Sequence, residues 1–165
     1  VKEGLINYKQ GMLLKPQHFQ LESRFHQENL HRLSQLLNPY LYGVCYKEIS
    51  SDALSAQKIA VPKGSFIFAD GTYCEIDKNA ILLPKAIPSE FLELGEKVDV
   101  YIGLKEFSEN SANVTEINNK EEAADCNTRY IGFYEGKEVC DLYGQGLPSY
   151  VDVIKYNLQI VFATD

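Results

Sequence analysis

The sequence predicts a mainly β protein, a β-sandwich of short strands with one α-helix near its N-terminus. Three observations carry this expectation. Tyr and Phe are abundant, 11 and 8 among 165 residues, and with many Val and Ile they favour pleated, half-buried strands over a helical bundle. Short apolar or alternating runs recur between turn-forming clusters such as Asp70-Gly71 and Gly144-Gln145-Gly146-Leu147-Pro148. A single stretch, residues 17–37, repeats its apolar residues at helical spacing. The length suits one domain with a core of its own, and residues 1–165 are read as one domain.

Residues 1–15 read as an extended lead-in, with Gly4 and Gly11 opposing helix formation. Lys15-Pro16 marks a boundary, because the residue before proline avoids the helical region, while the proline itself is tolerated in a first turn. In the helix, Phe19, Leu30, Leu33 and Leu37 fall near one face and Leu36 widens it. Glu22, Arg24, Gln27, Glu28, Arg32 and Gln35 fill much of the remainder, and Asn38-Pro39 ends the helix.

Strands are expected from about residue 42 to residue 162. Residues 42–49 form the first and 59–61 a short second. Residues 65–69 and 72–76 are read as a hairpin about the tight-turn pair Asp70-Gly71. Residues 80–83 follow. Residues 98–104 alternate most cleanly, with Val98, Val100, Ile102 and Leu104 on one side and Tyr101 on the other. The polar, acidic stretch 108–128 reads as a long surface loop. Residues 129–134 and 138–143 resume the strands, and 150–162 supply a last pair of segments or one long bent strand. The strand-like run Leu158-Gln159-Ile160-Val161-Phe162 lies close to Asp165, so the chain is expected to be a piece of a longer protein.

Charge narrows the function classes. Residues 1–63 carry eight Lys or Arg against five Asp or Glu, while residues 64–165 carry eight against eighteen, within a net charge of −7. An acidic body argues against phosphate-rich nucleic acid and against anionic membrane surfaces. No signal-peptide pattern is visible, and no run approaches the ~18 apolar residues of a spanning helix. Cys45, Cys74, Cys126 and Cys140 contain no CxxC pair and read as reduced, buried thiols of a cytoplasmic protein.

No catalytic pattern assembles. GxSxG, a phosphate loop, GxGxxG and HExxH are all missing, and Gly144-Gln145-Gly146-Leu147-Pro148 fails as a dinucleotide loop at its third glycine. The chain is therefore not expected to be an enzyme or to hold a cofactor. His18, Glu22 and His26 fall near one helix face at metal-ligand spacing, but an ordinary solvated face explains the same pattern. Glu121, Glu122 and Asp125 read as a solvated charge run, and Arg129 with Asp141 as an ion pair between neighbouring strands. The many tyrosines, among them Tyr40, Tyr42, Tyr46, Tyr101, Tyr130, Tyr134, Tyr143, Tyr150 and Tyr156, leave an alternative open: a carbohydrate- or receptor-binding sandwich.

The segment Gly11-Met12-Leu13-Leu14-Lys15-Pro16-Gln17-His18-Phe19-Gln20 closely resembles the G-M-L-L-x-P-Q-H-F-Q opening of the TssK (ImpJ/VasE) family of type VI secretion baseplate proteins. Pro39-Tyr40-Leu41-Tyr42-Gly43-Val44 is similar to that family's Pro-aromatic-x-aromatic-Gly-Val, with Tyr42 where a Trp is usual. Phe68-Ala69-Asp70-Gly71-Thr72 resembles its P-D-G-T turn with Ala69 in place of Pro. Val100-Tyr101-Ile102-Gly103-Leu104, Arg129-Tyr130, Asp141-Leu142 and Tyr156-Asn157-Leu158 follow in the family's order. The resemblance spans nearly the whole chain.

It implies an N-terminal β-sandwich like the shoulder domain of phage receptor-binding proteins. It also implies a cytoplasmic trimer docking onto the wedge proteins TssF and TssG. Contact with the membrane complex of TssJ, TssL and TssM is implied only for a C-terminal part not present here. Leu13, Leu14, Pro16, His18, Phe19, Tyr40 and Tyr42 are the expected protein-interface residues. For Leu13, Leu14 and Phe19 an equal reading is packing of the helix onto the sandwich core.

Overall fold

The computed structural model describes residues 4–94 and 97–163; the first three residues of the expected lead-in lie outside them. The chain divides into two compact units, residues 1–43 with 67–72, and residues 44–66 with 73–165.

The first unit is built on α1 (Pro16–Leu37). Lys15 holds the extended backbone expected before a proline, with φ −125° and ψ 156°, and Pro16 opens the first turn where a missing N–H costs nothing. At the other end the Asn38 N–H donates to the Ser34 carbonyl. The Asn38 side-chain oxygen then accepts from the Tyr40 N–H at 3.1 Å, turning the chain away. Residues 67–72 form a tight turn in which the Phe68 N–H donates to the Thr72 carbonyl and the Gly71 N–H to the Phe68 carbonyl. Gly71 takes a φ of +78°, which its lack of a Cβ makes inexpensive. The Asp70 carboxylate accepts from the Thr72 N–H at 3.0 Å.

The second unit contains the sheets. Its strands are β1 (Gly43–Glu48), β2 (Lys58–Ile59), β3 (Lys63–Ile67), β4 (Tyr73–Glu75), β5 (Ala80–Leu82), β6 (Lys85–Ala86), β7 (Val100–Leu104), β8 (Val114–Ile117), β9 (Tyr130–Phe133), β10 (Lys137–Val139), β11 (Ser149–Val151) and β12 (Ile154–Phe162), with one terminal residue each of β1 and β3 falling in the first unit. They form a three-stranded sheet β1-β3-β4, the pairs β2-β6 and β10-β11, and a five-stranded sheet ordered β5-β12-β9-β8 with β7 also on β12. The chain is thus mainly β with one long N-terminal helix, and its sheets do not close into a barrel.

β12 organises the largest sheet. Tyr156, Asn157 and Leu158 pair in parallel with Ala80, Ile81 and Leu82, while Leu158–Phe162 run antiparallel to Leu104–Val100. Phe162, Ile81, Ile131 and Cys74 are the largest fully buried side chains. Two buried polar groups brace the same region. Asn157 donates to the Cys126 carbonyl at 2.9 Å and to the Thr128 carbonyl at 3.3 Å. The Arg129 guanidinium donates to the Lys105 carbonyl at 2.7 Å and lies over the rings of Tyr130 and Tyr156. The expected Arg129–Asp141 ion pair is not how either is used, since Asp141 is engaged by its own loop.

Three further expectations are corrected. Two short helices, α2 (Ser51–Ser55) and α3 (Ser89–Leu94), join the one predicted; five or six residues are too few to show a periodic stripe. The stretch 108–128 is not a bare loop. It contains β8, paired in parallel with β9, and a 3₁₀ helix (Lys120–Asp125) whose Ala123 joins Ile81, Ile117 and Ile131 in a buried cluster. Polar neighbours hide this, because Ile117 and Ala123 supply the only buried side chains there among the described residues. Of the four free cysteines Cys74 alone is buried; Cys45 and Cys140 are exposed. Burial, then the nearby Asp125 and Glu122 carboxylates, push the Cys126 thiol above its ordinary pKa, which suits an inert packing role.

Candidate partner-binding interface

The interface residues expected from sequence all belong to the first unit, around the entry and exit of α1. Gly11 has a φ of +77°, a turn geometry, and the Met12 N–H donates back to the Lys9 carbonyl. The Tyr8 hydroxyl donates to the Glu22 carboxylate at 3.1 Å, which ties the lead-in to the second turn of α1. Partial burial, then that carboxylate, raise the Tyr8 pKa above its usual value. His18 accepts the Lys15 N–H on Nδ1 at 3.0 Å, so its ring serves the helix entry. Among the described residues no group of three His, Cys, Asp or Glu is placed to hold a metal ion, and Glu22 is already engaged by Tyr8.

Leu13, Leu14, Pro16, Phe19, Tyr40 and Tyr42 are all exposed, and α1 contains no buried residue. Leu13, Leu14 and Phe19 are thus not buried within this unit. The whole apolar stripe of the helix behaves alike, with Phe19 53%, Leu30 65%, Leu33 58% and Leu37 89% exposed.

The orientation of α1 is the informative point. An amphipathic helix normally turns its apolar stripe inward. At about 100° per residue, the half-buried Arg24, Phe25, Glu28 and His31 lie opposite the stripe. His31 packs over the Gly71 turn, and Glu28 pairs with Arg24 at 3.6 Å and with Arg32 at 3.8 Å. His31, on the side away from the stripe, thus meets the unit's own turn at Gly71.

The stripe also has a spacing. Phe19, Ser23, His26, Leu30, Leu33 and Leu37 follow one another at alternating intervals of four and three, the seam that fits between helices. Of the flanking positions, Gln20, Gln27, Asn29, Ser34 and Leu36 are uncharged and Glu22 alone is charged. Leu30, Leu33 and Leu37 are absent from the residues singled out by resemblance, although the four-three spacing was available to find them.

The tyrosines divide. Tyr40, Tyr42, Tyr46, Tyr101, Tyr134, Tyr143 and Tyr150 are exposed, whereas the half-buried Tyr130 and Tyr156 meet as a tilted pair with centroids 5.1 Å apart, against Arg129. No described helix is long and apolar enough to cross a membrane.

Residues 18–165 match the family described as Bacterial Type VI secretion, VC_A0110, EvfL, ImpJ, VasE. Solved structures share the fold. A TssK-TssF-TssG baseplate subcomplex of the type VI secretion system, seen by cryo-electron microscopy, is similar with a TM-score of 0.81 and 18% identity, over 100% of this chain and 52% of that one. The baseplate complex from the type VI secretion system gives 0.78 and 21%, over 100% and 50%. A crystal structure of TssK gives 0.81 and 21%, over 98% and 35%. The chain thus spans about half or less of each. No curated protein sequence matches it.

Proposed function

Because the chain belongs to the bacterial type VI secretion family that includes ImpJ and VasE, we propose that it is the N-terminal part of a TssK-type baseplate subunit. In this reading it is a non-enzymatic, cytoplasmic assembly module that docks onto TssF and TssG within a trimer. Contact with a membrane complex would belong to further domains.

One observation carries the reading: an ordered helix and its lead-in present large apolar side chains to solvent in a pattern suited to another protein. Exposed apolar surface of this kind costs solubility unless a partner covers it. Leu13, Leu14, Pro16, His18, Phe19, Tyr40 and Tyr42 are the proposed wedge contacts, and the Leu30–Leu33–Leu37 seam the proposed contact between copies of α1. One of the structures with this fold is a subcomplex of TssK with TssF and TssG, which supports the choice of partner.

The test is co-purification of the chain with a co-expressed TssF–TssG pair, followed by size exclusion with light scattering. A stable complex that is lost in Leu13→Ser/Leu14→Ser supports the reading. A folded chain that ignores the pair at micromolar concentration sinks it. Leu30→Asp/Leu33→Asp should lower the mass of any self-associated species and leave the circular dichroism of the sheets unchanged.

A further inference from the structure

The turn at residues 67–72 holds the chain's single Asp-Gly pair, Asp70-Gly71, and both residues are exposed. The sequence contains no Asn-Gly. An Asp-Gly pair has a reaction of its own, because glycine has no side chain to hinder its nitrogen or restrict its backbone. The Gly71 nitrogen can add to the Asp70 Cγ. The carboxyl hydroxyl and the amide proton then leave as water, and a five-membered succinimide closes. Water reopens the ring at either carbonyl. One opening restores aspartate; the other leaves isoaspartate, with the main chain running through Cβ and Cγ. No enzyme, oxidant or cofactor enters the balance.

The folded turn opposes the first step. The Gly71 N–H donates to the Phe68 carbonyl at 2.9 Å, and the Asp70 carboxylate accepts from the Thr72 N–H at 3.0 Å, so nucleophile and electrophile are both engaged elsewhere. The half-buried His31 ring of α1 lies so close to Gly71 that a Cβ there would stand 2.7 Å from its Cγ. Turning the Gly71 peptide toward the Asp70 carboxyl breaks the bond to Phe68 and disturbs this ring contact. The reaction therefore proceeds from a locally opened turn, and its rate follows how often the turn opens.

We propose that Asp70 is a self-modification site gated by α1: isoaspartate forms there when His31 withdraws from Gly71, and the seated helix suppresses it. The consequence returns to the helix. Isoaspartate lengthens the main chain by one atom between Phe68 and Thr72, which are joined by the Phe68 N–H and Thr72 carbonyl at 2.9 Å. The lengthened turn loses that closure and the seat it gives His31. Modification of one aspartate thus loosens the unit that carries the exposed leucines.

The experiment incubates the chain at neutral pH over several weeks. Isoaspartate is read as methyl groups transferred by protein isoaspartyl methyltransferase and is located by peptide mass spectrometry, with circular dichroism as the fold control. His31→Ala should form isoaspartate at Asp70 at least threefold faster than the unsubstituted chain. His31→Phe, which keeps a ring over Gly71, should stay within twofold of it. Asp70→Ser should abolish the signal. An equal or slower rate in His31→Ala, an alanine-like rate in His31→Phe, or a signal that survives Asp70→Ser overturns the proposal. If His31→Ala does not fold, the unsubstituted chain in urea too dilute to unfold the sheets decides. Isoaspartate formation must then rise in step with hydrogen exchange at the Gly71 amide, and a rate indifferent to that opening overturns the proposal.

Discussion

Residues 44–66 with 73–163 and residues 4–43 with 67–72 treat their apolar side chains in opposite ways. Every buried residue among those described lies in the first group, from Val61 to Phe162. The second is, for its length, richer in leucine and aromatics, yet none of them is buried. The sheets obtain their stability by removing apolar surface from water. The helical unit is ordered by Pro16, the Asn38 turn, the Tyr8–Glu22 bond and the Arg24–Glu28–Arg32 pairs, and leaves its apolar surface over.

The contrast is broken or sharpened most strongly at Phe162. Phe162→Ala empties a site that is 1% exposed and should cost about 3–5 kcal/mol in urea unfolding. Leu33→Ala in α1 should change the same measurement by no more than ~0.5 kcal/mol. Comparable losses at both positions would mean that the helix shares the core, and the contrast would collapse. Asn157→Leu comes next. It removes the donor to the Thr128 carbonyl inside the sheet unit, while the Cys126 carbonyl keeps Gln159 at 3.1 Å, and should cost about 1–3 kcal/mol.

Gly71→Ala probes the helical unit itself. It places a Cβ at a φ of +78° and against the His31 ring, and should cost about 1 kcal/mol or more. The visible signature would be faster hydrogen exchange at Gly71 and Thr72, with the β12 amides unaffected.

The smallest effect is local and depends on pH. The backbone N–H groups of Tyr143, Gly146 and Gly144 hold the Asp141 pKa in the folded loop below its ordinary value of 3.8. The stabilisation it gives is therefore present above that value and is lost as pH falls through the folded pKa. Amide resonances of Tyr143, Gly144 and Gly146 should stay fixed from pH 7 to about pH 5 and move only in stronger acid. Movement already between about pH 7 and 6 would show that another group orders the loop.

What could be read from residues alone follows from how local each signal is. The α1 boundaries are local: Lys15-Pro16 and Asn38-Pro39 set them within a residue of expectation. The Asp70-Gly71 turn is local too. Parallel pairing is not, and β8 hides in a polar run because its partner β9 lies beyond the 3₁₀ helix. Nor does the helical pattern of leucines say which way they face; amphipathicity fixes a stripe and leaves its destination open. At Asp141 opposite charge drew attention to Arg129, while the nearer solution was three backbone N–H groups offered by Tyr143 and two glycines.

The position of β12 has a consequence for how the molecule comes into being. β5, β7 and β9 all pair with β12, and β5 does so in parallel across more than seventy residues of sequence. On the ribosome these three strands emerge before their shared neighbour and must wait for it. Until residue 162 clears the exit tunnel the five-stranded sheet is missing the strand that joins three of its members, with their edges unsatisfied. Such long-range pairing folds slowly, so the nascent chain has reason to depend on chaperones during that interval.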